Sequence, residues 1–187
     1  MKQVFHARRY RLPLMAGGLV LTLALAPLGC KREPKTVKVV PTEGEAPTLA
    51  STVRTSEAGQ EPQLLNGFYG IENNSWRWTA RQFSVLLHAP IASAQSGARL
   101  NLAFTIPDVA IAHAKSLTLS ASIEGTQLPP ETYNKSGQYE YKRDVPASAF
   151  SKDAVRIQFS LDNAIPPAGA ERRELGIIVA SVGLEPK

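Results

Sequence analysis

The sequence predicts an all-β domain, an antiparallel jelly-roll-type β-sandwich of about eight strands. Three observations carry that expectation. Apolar and polar residues alternate with period two over several short runs, as in Leu100, Leu102, Phe104 and Ile106 against Arg99, Asn101, Ala103 and Thr105. Turn residues punctuate those runs, at Glu124-Gly125, Pro129-Pro130, Ser136-Gly137 and Pro166-Pro167-Ala168-Gly169. Only two short stretches read as helical, Pro107 to Lys115 and Pro146 to Phe150. Alternation places one face of a strand on a core and the other in water.

Taken in order, the chain opens on an export signal. Lys2, Arg8, Arg9 and Arg11 precede the uncharged stretch from Leu12 to Gly29, the pattern of a secretory n-region and h-region. The only cysteine, Cys30, follows Leu28-Gly29. A lone Cys after an apolar run and a small residue resembles the bacterial lipoprotein signal. That resemblance implies diacylglycerol on Cys30 and cleavage before it. Pro27 stands where that signal usually has Leu. Residues 1–29 are therefore expected to be a signal peptide, with everything beyond them exported. Lys31, rather than Asp, after the Cys favours the outer membrane, with the domain facing the periplasm or the exterior.

Residues 30–62 are expected to be the lipidated Cys and a flexible linker. They hold Pro34, Pro41, Pro47 and Pro62, many Thr, Ser and Glu, and no aromatic residue. Such composition buries too little apolar surface to offset its chain entropy. Val37-Lys38-Val39-Val40 is the one strand-like run inside it.

Residues 63–187 are expected to form the β-sandwich. Phe83, Val85 and Leu87 begin the alternating sets. Leu117, Leu119, Ala121 and Ile123 alternate with Ser116, Thr118, Ser120 and Ser122. Tyr139 and Tyr141 alternate with Gln138, Glu140 and Lys142, and Val155, Ile157, Phe159 and Leu161 with Arg156, Gln158 and Ser160. Leu175 to Leu184 is apolar on both faces, which suits a strand covered on both sides or carrying a bulge.

Charge excludes little by itself. The chain carries 21 basic and 16 acidic residues, a net +5. Four of the basic residues lie in the first 29 positions, so 17 face 16 beyond them. The basic balance thus belongs to the signal, no basic patch with interleaved aromatics follows, and no nucleic-acid partner is expected.

One stretch organises the functional question: Gly67-Phe68-Tyr69-Gly70-Ile71-Glu72-Asn73-Asn74-Ser75-Trp76-Arg77-Trp78-Thr79. Both tryptophans lie there, two apart, so on an extended strand they share one face. The stretch combines with Arg173-Glu174-Leu175-Gly176-Ile177 near the far end of the chain. Together the two motifs are similar to a bacterial β-sandwich module found beside glycosyltransferases and in exported proteins, related to galactose-binding-like and carbohydrate-binding domains. The similarity runs from about Leu65 to Leu184. Glu171 stands where that module has Asp.

In a jelly roll the first and last strands lie side by side, which would gather Glu72, Arg77, Glu171, Arg172, Arg173 and Glu174 at one end. One reading is a sugar-binding patch of Glu72, Trp76, Arg77, Trp78, Arg173 and Glu174, because a pyranose stacks on an indole and its hydroxyls need donors and acceptors. The other is an Arg–Glu network clamping two strands while the tryptophans fill the core. The core reading is the favoured one. Tyr133, Tyr139 and Tyr141 are likewise expected to pack across strands rather than to rim a glycan site.

No catalytic constellation is visible. His88 and His113 have no metal-ligand spacing, and no G-x-S-x-G, paired-carboxylate site or phosphate loop occurs. A structural calcium suits the fold, but no residue is assigned to it and no cofactor is expected. The expectation is an exported, lipid-anchored, non-catalytic carbohydrate-binding module. The alternative is an envelope protein-interaction or assembly lipoprotein with a purely structural sandwich.

Overall fold

The alternating runs become strands that pair antiparallel in every case. The computed structural model describes residues 48–187. The signal peptide, Cys30, most of the linker and the Val37–Val40 run lie outside the described residues. Nine strands and two short α-helices form among those residues: β1 Thr52–Arg54, β2 Leu64–Phe68, β3 Arg77–His88, α1 Ser93–Ser96, β4 Ala98–Ile106, α2 Asp108–Ala114, β5 Leu117–Ile123, β6 Thr126–Tyr133, β7 Gly137–Val145, β8 Ala154–Leu161 and β9 Ile178–Pro186, with single 3-10 turns at Glu61–Gln63 and, inside the expected Pro146–Phe150 stretch, at Ala147–Ala149.

The strands run in the order β6-β5-β8-β3-β9-β4-β7, with β1 added beside β9 and β2 beside β3. β3 belongs to both halves of this array. Arg77 and Trp78 pair with Val179 and Ile178 of β9, while Gln82 to His88 pair with Ser160 to Ala154 of β8. β3 thus turns the corner of the sandwich, joining a β1-β9-β4-β7 sheet to a β2-β3-β8-β5-β6 sheet. One core fills both inner faces, built from Val85, Leu87, Leu100, Leu102, Ile106, Leu119, Ile157, Val179 and their neighbours. Phe83 stacks on its register partner Phe159 at 4.9 Å, and Phe68 meets Phe83 edge-on at 5.4 Å. Such ring pairs contribute about 0.5–1.5 kcal/mol each beyond their buried area.

Local chemistry sets the turns. Glu124 and Gly125, at φ 45° and 86°, make the two-residue β5–β6 hairpin that their sequence predicts. α2 starts after Pro107 with Asp108 in its first turn, also as expected. β9 carries a register shift between its partners at Ala103 and Phe104, the bulge its two-faced apolar run allows.

The ordered domain begins before residue 63. Thr52 to Arg54 pair with Gly183 to Ser181, and Val53 is fully buried. Gln63 pins this segment: its Nε2 donates to the carbonyls of Ala50 (3.0 Å) and Leu86 (2.7 Å), and its Oε1 accepts the Ala50 N–H. The linker expected over residues 30–62 therefore does not extend through residues 48–62. A three-residue strand holding one buried apolar side chain is too short to give a periodic signal.

Pro129-Pro130, expected as a loop, lies inside β6. β6 is an edge strand, where a missing N–H costs no ladder bond. The exposed carbonyls are taken by β7. Tyr141 Oη donates to Pro129 O at 2.8 Å, and Arg143 Nε to the same oxygen at 2.7 Å. Arg143 also reaches Pro130 O and the Glu131 carboxylate, and lies 4.2 Å from the Tyr141 ring centroid. These contacts close the gap between the edges of the two sheets.

Candidate functional site

The residues singled out by sequence do come together, as a seam between strands. Trp76-Arg77-Trp78-Thr79 runs against Gly176-Ile177-Ile178. Thr79 N donates to Ile177 O at 2.8 Å, and Gly176 N donates to Thr79 O at 2.7 Å. The Thr79 hydroxyl, fully buried, lies 3.2 Å from both the N–H and the carbonyl of Ile177. Upstream, Asn73 and Asn74 take left-handed φ of 49° and 51°, and Ser75 N donates to Glu72 O at 3.1 Å. This tight turn brings Glu72 opposite Trp76.

Each candidate side chain has a definite place. Arg173 grips Glu171 with two parallel bonds, Nε to Oε1 at 2.9 Å and Nη2 to Oε2 at 2.8 Å, and reaches Glu72 Oε1 with Nη1 at 2.7 Å. Its guanidinium lies 5.1 Å from the Tyr69 ring centroid. These bonds depress the Glu171 pKa to about 2 and raise that of Arg173. Arg77 is elsewhere, spent on Thr55 O (2.6 Å), Tyr69 O (3.3 Å) and Glu61 (2.9 Å). Glu174 joins neither group: its carbonyl accepts Tyr69 Oη and its carboxylate accepts Arg81 N. The charged residues of the six-residue patch expected from sequence are thus held in three contacts that meet at Tyr69, whose ring lies under Arg173, whose carbonyl accepts from Arg77 and whose hydroxyl donates to Glu174 O.

The favoured core reading of the tryptophans is corrected. Trp76 and Trp78 are half-buried and stand outside the core cluster, whose aromatic residues are Phe68, Phe83, Phe104, Phe150, Phe159, Tyr133, Tyr139 and Tyr141. The sandwich core is closed by aliphatic residues of β9 and β4, which leaves the indoles on its periphery. The tyrosine group packs as expected, with Tyr133 and Tyr139 at 4.6 Å and Tyr141 fully buried.

A second arrangement was not singled out by sequence. The outer face of the β2-β3-β8-β5-β6 sheet carries two registered rows of uncharged polar residues. One row is Asn66, Ser84, Gln158, Ser122 and Gln127, one residue from each of five strands. The next is Gln82, Ser160 and Ser120. Together they line an open groove of about 250 Å³. Adjacent strands lie about 4.8 Å apart, so the longer row spans about 19 Å. Ser84 and Ser122 are buried on the floor, and the Ser84 hydroxyl donates to Asn66 Oδ1. Phe83 and Phe159 lie beneath and hold the floor in place.

The eight side chains are hydroxyls and amides, able to donate and accept, and none carries a charge. A signal for them exists in the sequence. The outward positions that meet here are Gln82 and Ser84 on β3, Ser120 and Ser122 on β5, and Gln158 and Ser160 on β8, where a solvated strand ordinarily carries Lys and Glu. Among the described residues, no group of three or more His, Cys, Asp or Glu side chains is placed to hold a metal ion.

No protein-family model matches the chain, and no curated protein matches it. Solved structures overlap it in part. The CBM36-1 domain of a multidomain xylanase from the hindgut metagenome of Trinervitermes trinervoides is 16% identical, with a TM-score of 0.39, covering 71% of this chain and 94% of that one. A CBM4 structure is 11% identical, with a TM-score of 0.35, covering 73% and 85%. A family GH115 4-O-methyl-α-glucuronidase with specificity for decorated arabinogalactans is 8% identical, with a TM-score of 0.43. The overlap with it covers 74% of this chain but only 18% of the glucuronidase.

Proposed function

We propose that the domain is a non-catalytic carbohydrate-binding module whose site is the uncharged groove on the β2-β3-β8-β5-β6 sheet. The observation that carries this reading is the pair of registered rows, eight neutral hydrogen-bonding side chains with no ionised group among them. A sugar hydroxyl both donates and accepts, and is matched by Ser, Asn and Gln without desolvating a charge. The same neutrality argues for binding rather than turnover. A serine without an adjacent base is a weak nucleophile, and nothing in the two rows can serve as general acid or base. Each neutral hydrogen bond contributes about 0.5–1.5 kcal/mol net, so affinities in roughly the micromolar to millimolar range are expected.

The export signal and Cys30 support the finer setting: a lipoprotein held on the outer membrane, its domain facing the periplasm or the exterior, with envelope or exogenous polysaccharide as ligand. Incorporation of labelled palmitate by wild type and not by Cys30→Ala would support the anchor; an unlabelled wild type removes it.

The site is tested by affinity electrophoresis and titration calorimetry of the full-length chain against a panel of soluble polysaccharides. Gln158→Ala, in the centre of the longer row, is expected to weaken binding about 2–10-fold. Ser160→Tyr fills the groove and is expected to abolish it. Trp76→Ala and Trp78→Ala should leave it intact. Loss of binding in the tryptophan variants with none in Ser160→Tyr would move the site to the seam; no binding by the wild type to any polysaccharide would remove the function.

A further inference from the structure

The groove does not end in neutral residues. Two positions farther along the same strand faces, Ser84 gives way to Leu86, Gln158 to Arg156 and Ser122 to Glu124. These three, with Lys152, line a second depression of about 380 Å³, and Gln158 lines both. The two depressions are therefore one continuous surface, neutral over two rows and charged in the third.

The charges of that third row are unequally committed. Glu124 Oε1 accepts the backbone N–H of Arg156 at 2.6 Å, which fixes the carboxylate in place while it keeps its negative charge and its second oxygen. Arg156 and Lys152 are both exposed, and among the described residues neither enters an ion pair. Lys152 stands on the rim, shared with a neighbouring depression that holds His88 and Asp153. Beyond the other end of the groove, Arg81 Nε donates to Leu161 O and Asp162 Oδ1 accepts from Thr118 N, and Arg81 too is in no ion pair among the described residues. Arg156 and Lys152 thus offer unpaired cationic hydrogen-bond donors in the depression that Gln158 shares with the groove.

Building on the glycan reading of the groove, we infer that this row selects a predominantly neutral glycan bearing a sparse anionic substituent, a carboxylate or a sulfate. Arg156 supplies a planar fork that takes either oxyanion by two bonds, and Lys152 adds a point charge. Two residues along β8 separate Arg156 from Gln158, about 7 Å. A substituent on a sugar held in the neutral rows therefore reaches the guanidinium. A polyanion is disfavoured, because its further charges would be desolvated over Ser84, Ser122 and Ser160 with no cation to meet them.

The test uses the full-length chain and five probes: glucuronoxylan, the same polymer after carboxyl reduction, a sulfated galactan, its desulfated form, and polygalacturonate. The expected result is that removing either the carboxylate or the sulfate weakens binding about tenfold, which identifies the substituent recognised. Arg156→Gln with Lys152→Gln should abolish that difference while retaining affinity for the neutral polymer, with an unchanged urea midpoint. Equal binding of charged and neutral partners in both pairs overturns this inference and leaves the glycan reading standing. Polygalacturonate bound more tightly than every other probe also overturns it. Binding to none of the five and to no polysaccharide in the wider panel overturns both.

Discussion

Replacing Gly67 with alanine tests how β2 is held over the groove. Gly67 sits at φ +72° within the second register shift of the β2–β3 pair, between Asn66 and Phe68. An added Cβ would lie 2.0 Å from Gln82 O, 2.7 Å from Phe83 Cα and 2.8 Å from Phe83 Cβ. Two of these are backbone atoms of β3, which cannot swing aside as a side-chain tip could. Left-handed φ costs a residue with a Cβ about 1–2 kcal/mol. Overpacking adds about 1–3 kcal/mol. The lower chain entropy of unfolded alanine returns about 0.4–1 kcal/mol. The net loss is about 2–4 kcal/mol, a large part of the roughly 5–15 kcal/mol that holds a typical domain together. Urea unfolding followed by the fluorescence of Trp76 and Trp78 measures it. Gly70→Ala is the control, because its Cβ would meet nothing within 4 Å, and its midpoint should stay within about 0.5 kcal/mol of wild type. Equal midpoints for the two variants would refute the close-approach argument. Because Asn66 precedes Gly67 and bonds to Ser84, Gly67→Ala should also weaken glycan binding at temperatures where the protein remains folded.

Two further expectations concern the polar contacts of the frame. The Glu171 carboxyl is held down to about 2, first by its side-chain bonds to Arg173. A depressed carboxylate contributes stability that is fully present above its unfolded pKa, about 4.3, and is lost as pH falls through the folded value. The Glu171–Arg173 bonds should therefore persist at pH 3.5 and loosen only near pH 2. A carboxyl-carbon NMR titration of Glu171 with a midpoint near 4.3 in the wild type would contradict this, and Arg173→Gln should move the midpoint up to that range. Arg143→Ala leaves Pro130 O and Glu131 without their guanidinium and should lower stability by about 2 kcal/mol in urea unfolding. Arg143→Lys should recover only part of it, since an ammonium cannot span three acceptors as the fork does; full recovery would show that charge alone holds the two edges.

The frame was largely legible because core strands write themselves with period two. β3, β4, β5, β7 and β8 follow from alternating runs, and the β5–β6 hairpin from Glu124-Gly125. What was not legible was short or depended on partners. Thr52–Arg54 buries one side chain and is a strand only because β9 offers it an edge. Pro129-Pro130 is strand rather than loop because β6 is an edge and because Tyr141 and Arg143 satisfy its carbonyls. The tryptophans misled in two directions. A period-two pair says that two rings share a face, not which face; that depends on partners such as Ile178 of β9, the register partner of Trp78, which lies a hundred residues downstream. Two other motif residues fix geometry: Thr79 bonds across the seam, and a Cβ on Gly176 would meet Leu161, Ala80 O and Thr79 within 2.9 Å.

The groove escaped notice for a physical reason that also bears on how it would work. Arginines, tryptophans and carboxylates draw attention because each is a large term in binding. Serine and glutamine are small terms, and their effect is collective, arising only when five strands bring them into one row. No aromatic ring faces the groove, since Phe83 and Phe159 are buried beneath it. A sugar held here would meet the protein through its hydroxyl edges rather than its flat face. Edge contacts distinguish axial from equatorial hydroxyls, because a misplaced one leaves Ser84 or Ser122, both buried, without a ligand partner. Such a site would be weak in affinity yet discriminating among epimers. Arg156 and Lys152 would then add, for a ligand with an anionic substituent, to the affinity that the neutral rows supply.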